Sequence, residues 1–237
     1  MKRLNYIFIG SILAVAACTP KEKSDKAVER ERWIESLNDS VALYKSQIDS
    51  ATSRLEELHD NVGLMLQDFE YVNNPREVEG YYIYKGWRQR YPLQGNGLVA
   101  RISKDEGLEL IACHKGAPFT SVALSGGDGA AVETEAVAHD QALNYRRGDL
   151  TTVCYYGAKA DSVAMYISDN QAQKLTVTLL NGKACGSFTL SQDAARMISA
   201  TWQLYSSQKQ CERLEHEIPL LNRRIDTCRR ILDQKGS

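Results

Sequence analysis

The sequence lacks the residue patterns by which most metal, nucleotide and covalent catalytic sites are recognised. Its six cysteines include no Cys-x-x-Cys pair, which argues against a zinc ribbon and against a dense disulfide framework. The glycine-rich segment Ser125–Gly129 is not followed by Lys and then Ser or Thr, so it is not a phosphate-binding loop. No Ser or Cys lies in a nucleophile elbow that the neighbouring His139 and Asp140 could serve. We therefore predict no enzymatic activity, no metal and no cofactor.

The sequence also lacks an excess of charge of either sign and an apolar run that could span a membrane. Its 29 lysines and arginines nearly balance its 30 aspartates and glutamates, which argues against non-specific binding to nucleic acid. One apolar run, Tyr6–Ala17, follows the basic residues Lys2 and Arg3. A spanning helix needs about 20 residues, so this shorter run is typical of a secretory signal rather than of a permanent anchor.

The residues around Cys18 add a second feature to this signal. The run ends in Val15-Ala16-Ala17-Cys18, which resembles the lipobox of bacterial lipoproteins; the resemblance covers residues 1–18. It implies removal of residues 1–17 and acylation of Cys18 with fatty acids such as palmitate, which anchors the protein in a membrane. Thr19, rather than the Asp associated with inner-membrane retention, follows the cysteine, so we expect the outer membrane of the cell envelope. An ordinary signal with a chance cysteine is the alternative.

A heptad pattern begins after a polar tether over residues 18–26. Apolar side chains recur at alternating steps of three and four through residues 27–72, and again through residues 191–235. The first seam is Ile34, Leu37, Val41, Tyr44, Ile48, Ala51, Leu55, Leu58, Val62, Met65 and Phe69; the second is Met197, Ala200, Leu204, Ser207, Cys211, Leu214, Ile218, Leu221, Ile225, Cys228 and Leu232. Seams of this kind predict two long coiled-coil helices.

The two predicted helices have similar lengths and enclose the middle of the chain, so we predict that they pair with each other in antiparallel orientation. Phe69 would then lie near Met197, and Ile34 near Leu232. Pairing of the helices between chains is the alternative, because few charged pairs beside the seams specify the partner. Pro219 lies inside the second seam and should kink or interrupt that helix.

The middle of the chain, residues 78–190, shows short segments rich in Val, Ile, Thr and Tyr. The predicted strands are Glu79–Tyr84, Gly97–Ser103, Leu108–Cys113, Phe119–Leu124, Ala131–Ala138, Thr151–Gly157, Ser162–Ile167, Leu175–Leu180 and Lys183–Leu190. Asn181-Gly182 is a strong hairpin signal. We predict the α+β class, with an antiparallel β sandwich or barrel as a head flanked by the two helices. Within the head, Cys113, Cys154 and Cys185 could form one disulfide, and the sequence does not choose the pair.

Aromatic and arginine residues cluster at the start of the predicted head. The cluster comprises Tyr81, Tyr82, Tyr84, Trp87, Arg88, Arg90 and Tyr91. If Tyr81, Trp87, Arg88 and Tyr91 are exposed, they offer a surface that binds a glycan or a peptide. If the rings are buried, they form the core of the head and its junction with the helices, and we favour this second interpretation.

These features together predict a non-enzymatic envelope lipoprotein, and the mature chain resembles coiled-coil lipoproteins of the bacterial envelope. Its helices would space the head from the membrane. The head or the helices would bind another envelope protein or associate with a second copy of the chain, and no nucleic acid. A glycan- or peptide-binding module is the alternative. An enzyme would require a cleft that brings His114 or His139 together with carboxylates.

Overall fold

The computed structural model describes residues 20–73, 80–87, 90–104, 106–127, 129, 131–140 and 142–236. Cys18 and Arg88 therefore lie outside the described residues. The chain forms two compact units. We call residues 20–50 with 218–236 the helical unit, and residues 51–217 the β unit.

Three α-helices and ten β-strands lie within the described residues. The helices are α1 (Pro20–Leu66), α2 (Ala158–Asp169) and α3 (Gln192–Gly236). The strands are β1 (Phe69–Val72), β2 (Tyr81–Tyr84), β3 (Gly97–Ser103), β4 (Gly107–Lys115), β5 (Ser121–Ser125), β6 (Ala131–Glu133), β7 (Asn144–Arg147), β8 (Leu150–Tyr155), β9 (Thr176–Asn181) and β10 (Lys183–Thr189). A 3₁₀ turn, Lys85–Trp87, follows β2. The predicted α+β class is confirmed.

The strands pair antiparallel in two sheets. Over the described residues, the first sheet has the strand order β1-β2-β3-β4-β8-β7 and the second has the order β10-β9-β5-β6. In the first sheet, Gly97 of β3 lies opposite Cys113 of β4. Strands β9 and β10 form the hairpin that Asn181-Gly182 predicts, with Gly182 at a φ of 70°, a conformation that glycine adopts without strain.

One continuous hydrophobic core joins both sheets, α2 and the first turns of α3. Its fully buried side chains include Leu98, Leu110, Leu124, Ile167, Leu179 and Ile198. The Oγ of Ser191 accepts a hydrogen bond from the Ala194 N–H at 3.1 Å, so Ser191 caps the N-terminus of α3. The start of α3 is thereby fixed against the core.

The first helix begins and ends earlier than its heptad pattern predicts. Helix α1 begins at Pro20, inside the predicted tether, and ends at Leu66. The segment Phe69–Val72, predicted as the end of the helix, is strand β1. Phe69 is nevertheless buried, opposite Tyr84 of β2. The aromatic and β-branched residues of this segment favour a strand, and pairing with β2 decides the conformation.

One predicted strand is a helix, and β7, like β1, was not predicted as a strand. The segment Ser162–Ile167 belongs to α2, whose buried residues Ala160, Val163, Ala164 and Ile167 follow the helical period. A short apolar run fits either period, and the burial of one helix face decides it. Strand β7 is polar and lies at a sheet edge, so it lacks the apolar alternation that predicts a strand.

The predicted seams are the protected faces of both long helices. Every seam position from Ile34 to Met65 in α1, and from Met197 to Leu232 in α3, is buried or partly buried. In the helical unit, the Arg224 guanidinium lies 5.8 Å from the centre of the Tyr44 ring. Pro219 lies inside α3 without ending the helix, so the prediction of an interruption is wrong. No helix in the described part of the chain is apolar over a length that could cross a membrane.

A charge placed on the seam should destabilise the protein. Leu58 is 4% exposed, whereas Leu64 on the same helix is 64% exposed. We expect Leu58→Asp to lower the free energy of unfolding by about 3–5 kcal/mol, because it buries an unpaired carboxylate. Leu64→Asp is the matched control and should change that free energy by less than about 0.5 kcal/mol. Equal losses in urea unfolding, followed by circular dichroism, would contradict this account of the seam.

Candidate functional site: a tyrosine-lined cavity

A cavity of about 620 Å³ lies in the β unit, in the size range of pockets that bind small molecules. Its walls come from the last turns of α1, from strands β1 and β2, from the turn between β3 and β4, and from the middle of α3. The side chains that set its chemistry include Tyr71, Tyr82, Tyr205, Lys209 and Glu212.

Two tyrosines form one wall of the cavity. Tyr71 of β1 and Tyr82 of β2 lie opposite each other in the antiparallel register, and their ring centres are 5.0 Å apart at a tilt of 56°. Tyr71 is 52% exposed. A Cβ at Gly80 would lie 2.2 Å from the Tyr71 hydroxyl, so the glycine leaves room for this ring. Tyr71 presents aromatic surface to solvent, and both rings line the cavity.

Tyr205 of α3 forms a further wall. Its ring lies close to Gly107, where a Cβ would be 3.0 Å from the Tyr205 ring, and Gly107 has a φ of 76°. Glycine is required there for both reasons. Burial, and next the neighbouring Asp161 carboxylate, raise the pKa of the Tyr205 hydroxyl. Tyr205 therefore acts at neutral pH as a neutral ring with a hydrogen-bonding hydroxyl.

Among the residues that the structure describes, charges of both signs line the cavity in equal number. Lys104 and Lys209 lie beside Glu106 and Glu212. The Lys209 ammonium is 2.8 Å from the Glu212 carboxylate, and this hydrogen bond raises the pKa of Lys209. Because the lysines balance the glutamates, the lining favours neither an anion nor a cation.

His59 and Cys211 complete the helical side of the cavity. The Nε2 of His59 lies 3.2 Å from Oε1 of Glu215. Burial, and to a smaller extent Glu215, raise the pKa of the Cys211 thiol. A protonated thiol is a poor nucleophile, so Cys211 contributes an apolar surface here.

Tyr81, Trp87 and Tyr91, which the sequence suggested as part of a ligand surface, belong to the interior of the β unit or enclose Arg101. Tyr81 is 5% exposed and Trp87 is 3% exposed, so neither ring lies on an open groove. The Arg101 guanidinium lies 4.2 Å from the centre of the Tyr81 ring and 5.9 Å from that of Tyr91. Arg101 is also paired with Glu109, and both side chains are largely buried. Tyr81 and Tyr91 thus enclose an internal arginine.

His114 and His139, the histidines that the sequence offered for an enzyme, do not line the cavity. His114 lies on β4 with its ring centre 6.5 Å from that of Phe119, and burial lowers its pKa. His139 is exposed in the segment after β6. Over the described residues, no three His, Cys, Asp or Glu side chains are grouped so that they could hold a metal ion.

The cysteines of the β sheets are not joined by disulfide bonds. Cys113, Cys154 and Cys185 form no disulfide, so the bridge that the sequence left open is not made. The Sγ of Cys113 lies 3.4 Å from Oγ1 of Thr152 on the paired strand. Burial raises the pKa of Cys113, which keeps it protonated and unreactive.

Most residues that shape the cavity were not identified from the sequence. Tyr82 belongs to the predicted aromatic cluster, but Tyr71 was assigned to the first helix. Tyr205 lies between seam positions of α3, where nothing in the heptad pattern distinguishes it. Gly80 and Gly107 are the local signals of close approach, although a glycine beside a strand does not by itself indicate a cavity.

Comparison with known proteins does not extend this description. No family model matches the chain, and no characterised protein or solved structure is significantly similar to it.

The ion pair of Arg101 and Glu109, which Tyr81 and Tyr91 enclose, can be tested by substitution. We expect Arg101→Met or Glu109→Met to lower the free energy of unfolding by about 3–5 kcal/mol, because the remaining charge stays buried without its partner. The double variant should lose less than the sum of the two. Urea denaturation of the unaltered protein, the two single variants and the double variant measures the coupling energy between the two side chains. Strictly additive losses would contradict the pairing.

Proposed function

We propose that this chain is a non-enzymatic lipoprotein of the bacterial cell envelope, anchored through acylated Cys18, in the outer membrane if Thr19 directs sorting as expected. In this proposal α1 and α3 pair as an antiparallel coiled coil. They present the β unit, whose two sheets form a sandwich, to another envelope protein. The lipobox-like segment Val15-Ala16-Ala17-Cys18 carries the proposed anchor, and the protection of every described seam position along both helices carries the proposed pairing.

Contacts within each unit support the pairing of the helices. In the helical unit, Tyr44 of α1 contacts Arg224 of α3. In the β unit, His59 of α1 contacts Glu215 of α3. The sandwich is supported by the core that both sheets share. A coiled coil joined to a compact β unit is an arrangement suited to presentation rather than to catalysis, although the fold alone does not determine function.

The lipid anchor is tested by Cys18→Ser. We expect the unaltered protein to incorporate a labelled fatty acid and to sediment with membranes, because acyl chains supply the membrane affinity. Cys18→Ser should lose the label and should no longer be processed. Cys228→Ser, which changes a cysteine of α3, is the matched control and should keep both properties. Membrane association without label in the unaltered protein would refute the lipoprotein assignment.

The cavity supports a second candidate function, the binding of a neutral saccharide. The rings of Tyr71 and Tyr82 line the cavity, and the C–H faces of a sugar stack on such rings. Gln208, Glu106 and Lys104 also line the cavity and offer donors and acceptors for hydroxyl groups. The balanced charge of the lining favours an uncharged ligand over a phosphate or an amine.

Binding at the cavity is measurable with a defined probe. We expect N-acetylglucosamine trimer to bind the protein in calorimetry, and Tyr71→Ala to weaken that binding by about tenfold, or about 1.4 kcal/mol. Tyr156→Ala is the matched control, because Tyr156 is exposed and does not line the cavity. If no neutral oligosaccharide binds, or if both variants weaken binding equally, the saccharide proposal fails while the lipoprotein proposal stands.

A further inference from the structure

Strand β10 differs from the other sheet edges of the β unit. Strand β1 has 4 residues and includes Glu70, and β6 has 3 residues and includes Glu133. Strand β7 carries the exposed pair Arg146 and Arg147. Short length and charge are the features by which proteins protect sheet edges from further pairing. Strand β10 has 7 residues, and its one charged side chain, Lys183, is at its first position.

The ladder with β9 determines which backbone groups of β10 point away from the sheet. The Leu190 N–H donates to the Leu175 carbonyl at 2.9 Å, so Leu190 faces β9. Backbone groups alternate in direction along an antiparallel strand. Phe188 and Gly186 therefore also face β9, whereas Ser187 and Thr189 direct their N–H and C=O groups outward. Over the described residues, no strand pairs with that side of β10.

The irregular part of β10 does not remove this edge. The register shift in the ladder lies between Ala184 and Gly186, and the pairing from Gly186 to Thr189 is regular. A bulge can end pairing at an edge, but here it lies at the hairpin end of the strand. In the regular half of β10, the backbone N–H and C=O groups of the alternate residues Ser187 and Thr189 therefore face outward.

We propose that β10 is the interface with a second copy of this chain. The two β10 strands pair antiparallel about a two-fold axis at Ser187, and the two small sheets become one continuous sheet. Such an isologous contact closes after two subunits. Ser187 of each copy then forms the hydrogen-bonded pair at the centre.

The residues around Ser187 are self-complementary in this register. Phe188 of one copy lies opposite Gly186 of the other, and the same contact occurs twice. An aromatic residue opposite an edge glycine covers the backbone that the glycine leaves bare. A side chain at 186 would come within 3.1 Å of His114, so this position stays small. The two Lys183 side chains lie at opposite ends of the pair and do not repel each other.

The position of Ser187 on the two-fold axis allows the dimer to be tested with two oppositely charged variants, whose mixture should dimerise again. In the mature chain with Cys18→Ser, we expect a dimer by light scattering. Ser187→Lys and Ser187→Asp should each raise the dimer dissociation constant by about tenfold or more, because like charges meet on the axis. An equimolar mixture of the two variants should restore the dimer. Ala131→Lys, an exposed position of β6 on the other edge of the same sheet, is the matched control and should stay dimeric.

Each contrary result has a definite meaning. A monomer at all concentrations overturns the proposal and leaves the edge to an extended segment of another protein. A dimer that persists in Ser187→Lys and dissociates in Leu58→Asp overturns it in favour of pairing through the helices. Circular dichroism verifies that each Ser187 variant is folded. The result does not depend on the lipid anchor or on the cavity.

Discussion

The packing of the first turns of α3 on the sheets is the contact on which the rest of the β unit depends. Met197 and Ile198 are buried in the core that both sheets share, and Ser191 caps the helix at that point. Further along the same helix, Tyr205 lines the cavity. Within the β unit, core and cavity are therefore held together by one helix, because residues a few positions apart on a helix keep fixed relative positions.

The pleat of one strand separates a tyrosine in the interior from a tyrosine that lines the cavity. Tyr81 and Tyr82 are adjacent in sequence, but neighbouring strand residues point to opposite faces. Tyr81 packs against Arg101, inside the protein, whereas Tyr82 lines the cavity with Tyr71. The enclosed Arg101–Glu109 pair is acceptable in the interior because each charge has a partner and the rings cover the guanidinium. A single aromatic cluster in the sequence thus becomes two separate sites in the fold.

The proposed anchor and the proposed edge pairing reinforce each other. Strand addition over a few residues is a weak contact in dilute solution, because it must offset the loss of translational freedom. Attachment to a membrane confines both copies to one surface and raises their effective concentration. Anchoring would therefore favour further the dimer that β10 forms, whereas the charged or short edges at β1, β6 and β7 keep the assembly from growing.

The sequence by itself determined the features whose signal is local. The heptad steps predict the protected faces of α1 and α3, Asn181-Gly182 predicts the β9–β10 hairpin, and the bounds of β3 match the predicted Gly97–Ser103. The heptad pattern also predicted a helix through Phe69, but this residue lies in strand β1. An apolar side chain at this position fits the period of a strand as well as that of a helix. The run Ser162–Ile167 shows the same ambiguity, because it was predicted as a strand and is part of helix α2.

Only the tertiary structure decided what covers each face. Tyr71, Tyr82 and Tyr205 come from three distant segments, so no sequence pattern brings them together. The burial of Tyr81 and Trp87, and the free edge of β10, likewise follow from the strand order. Periodicity reports which side of an element is apolar, because that depends on neighbours three or four residues away. Which element packs against that side depends on pairings between residues far apart in the chain, and only the fold determines these.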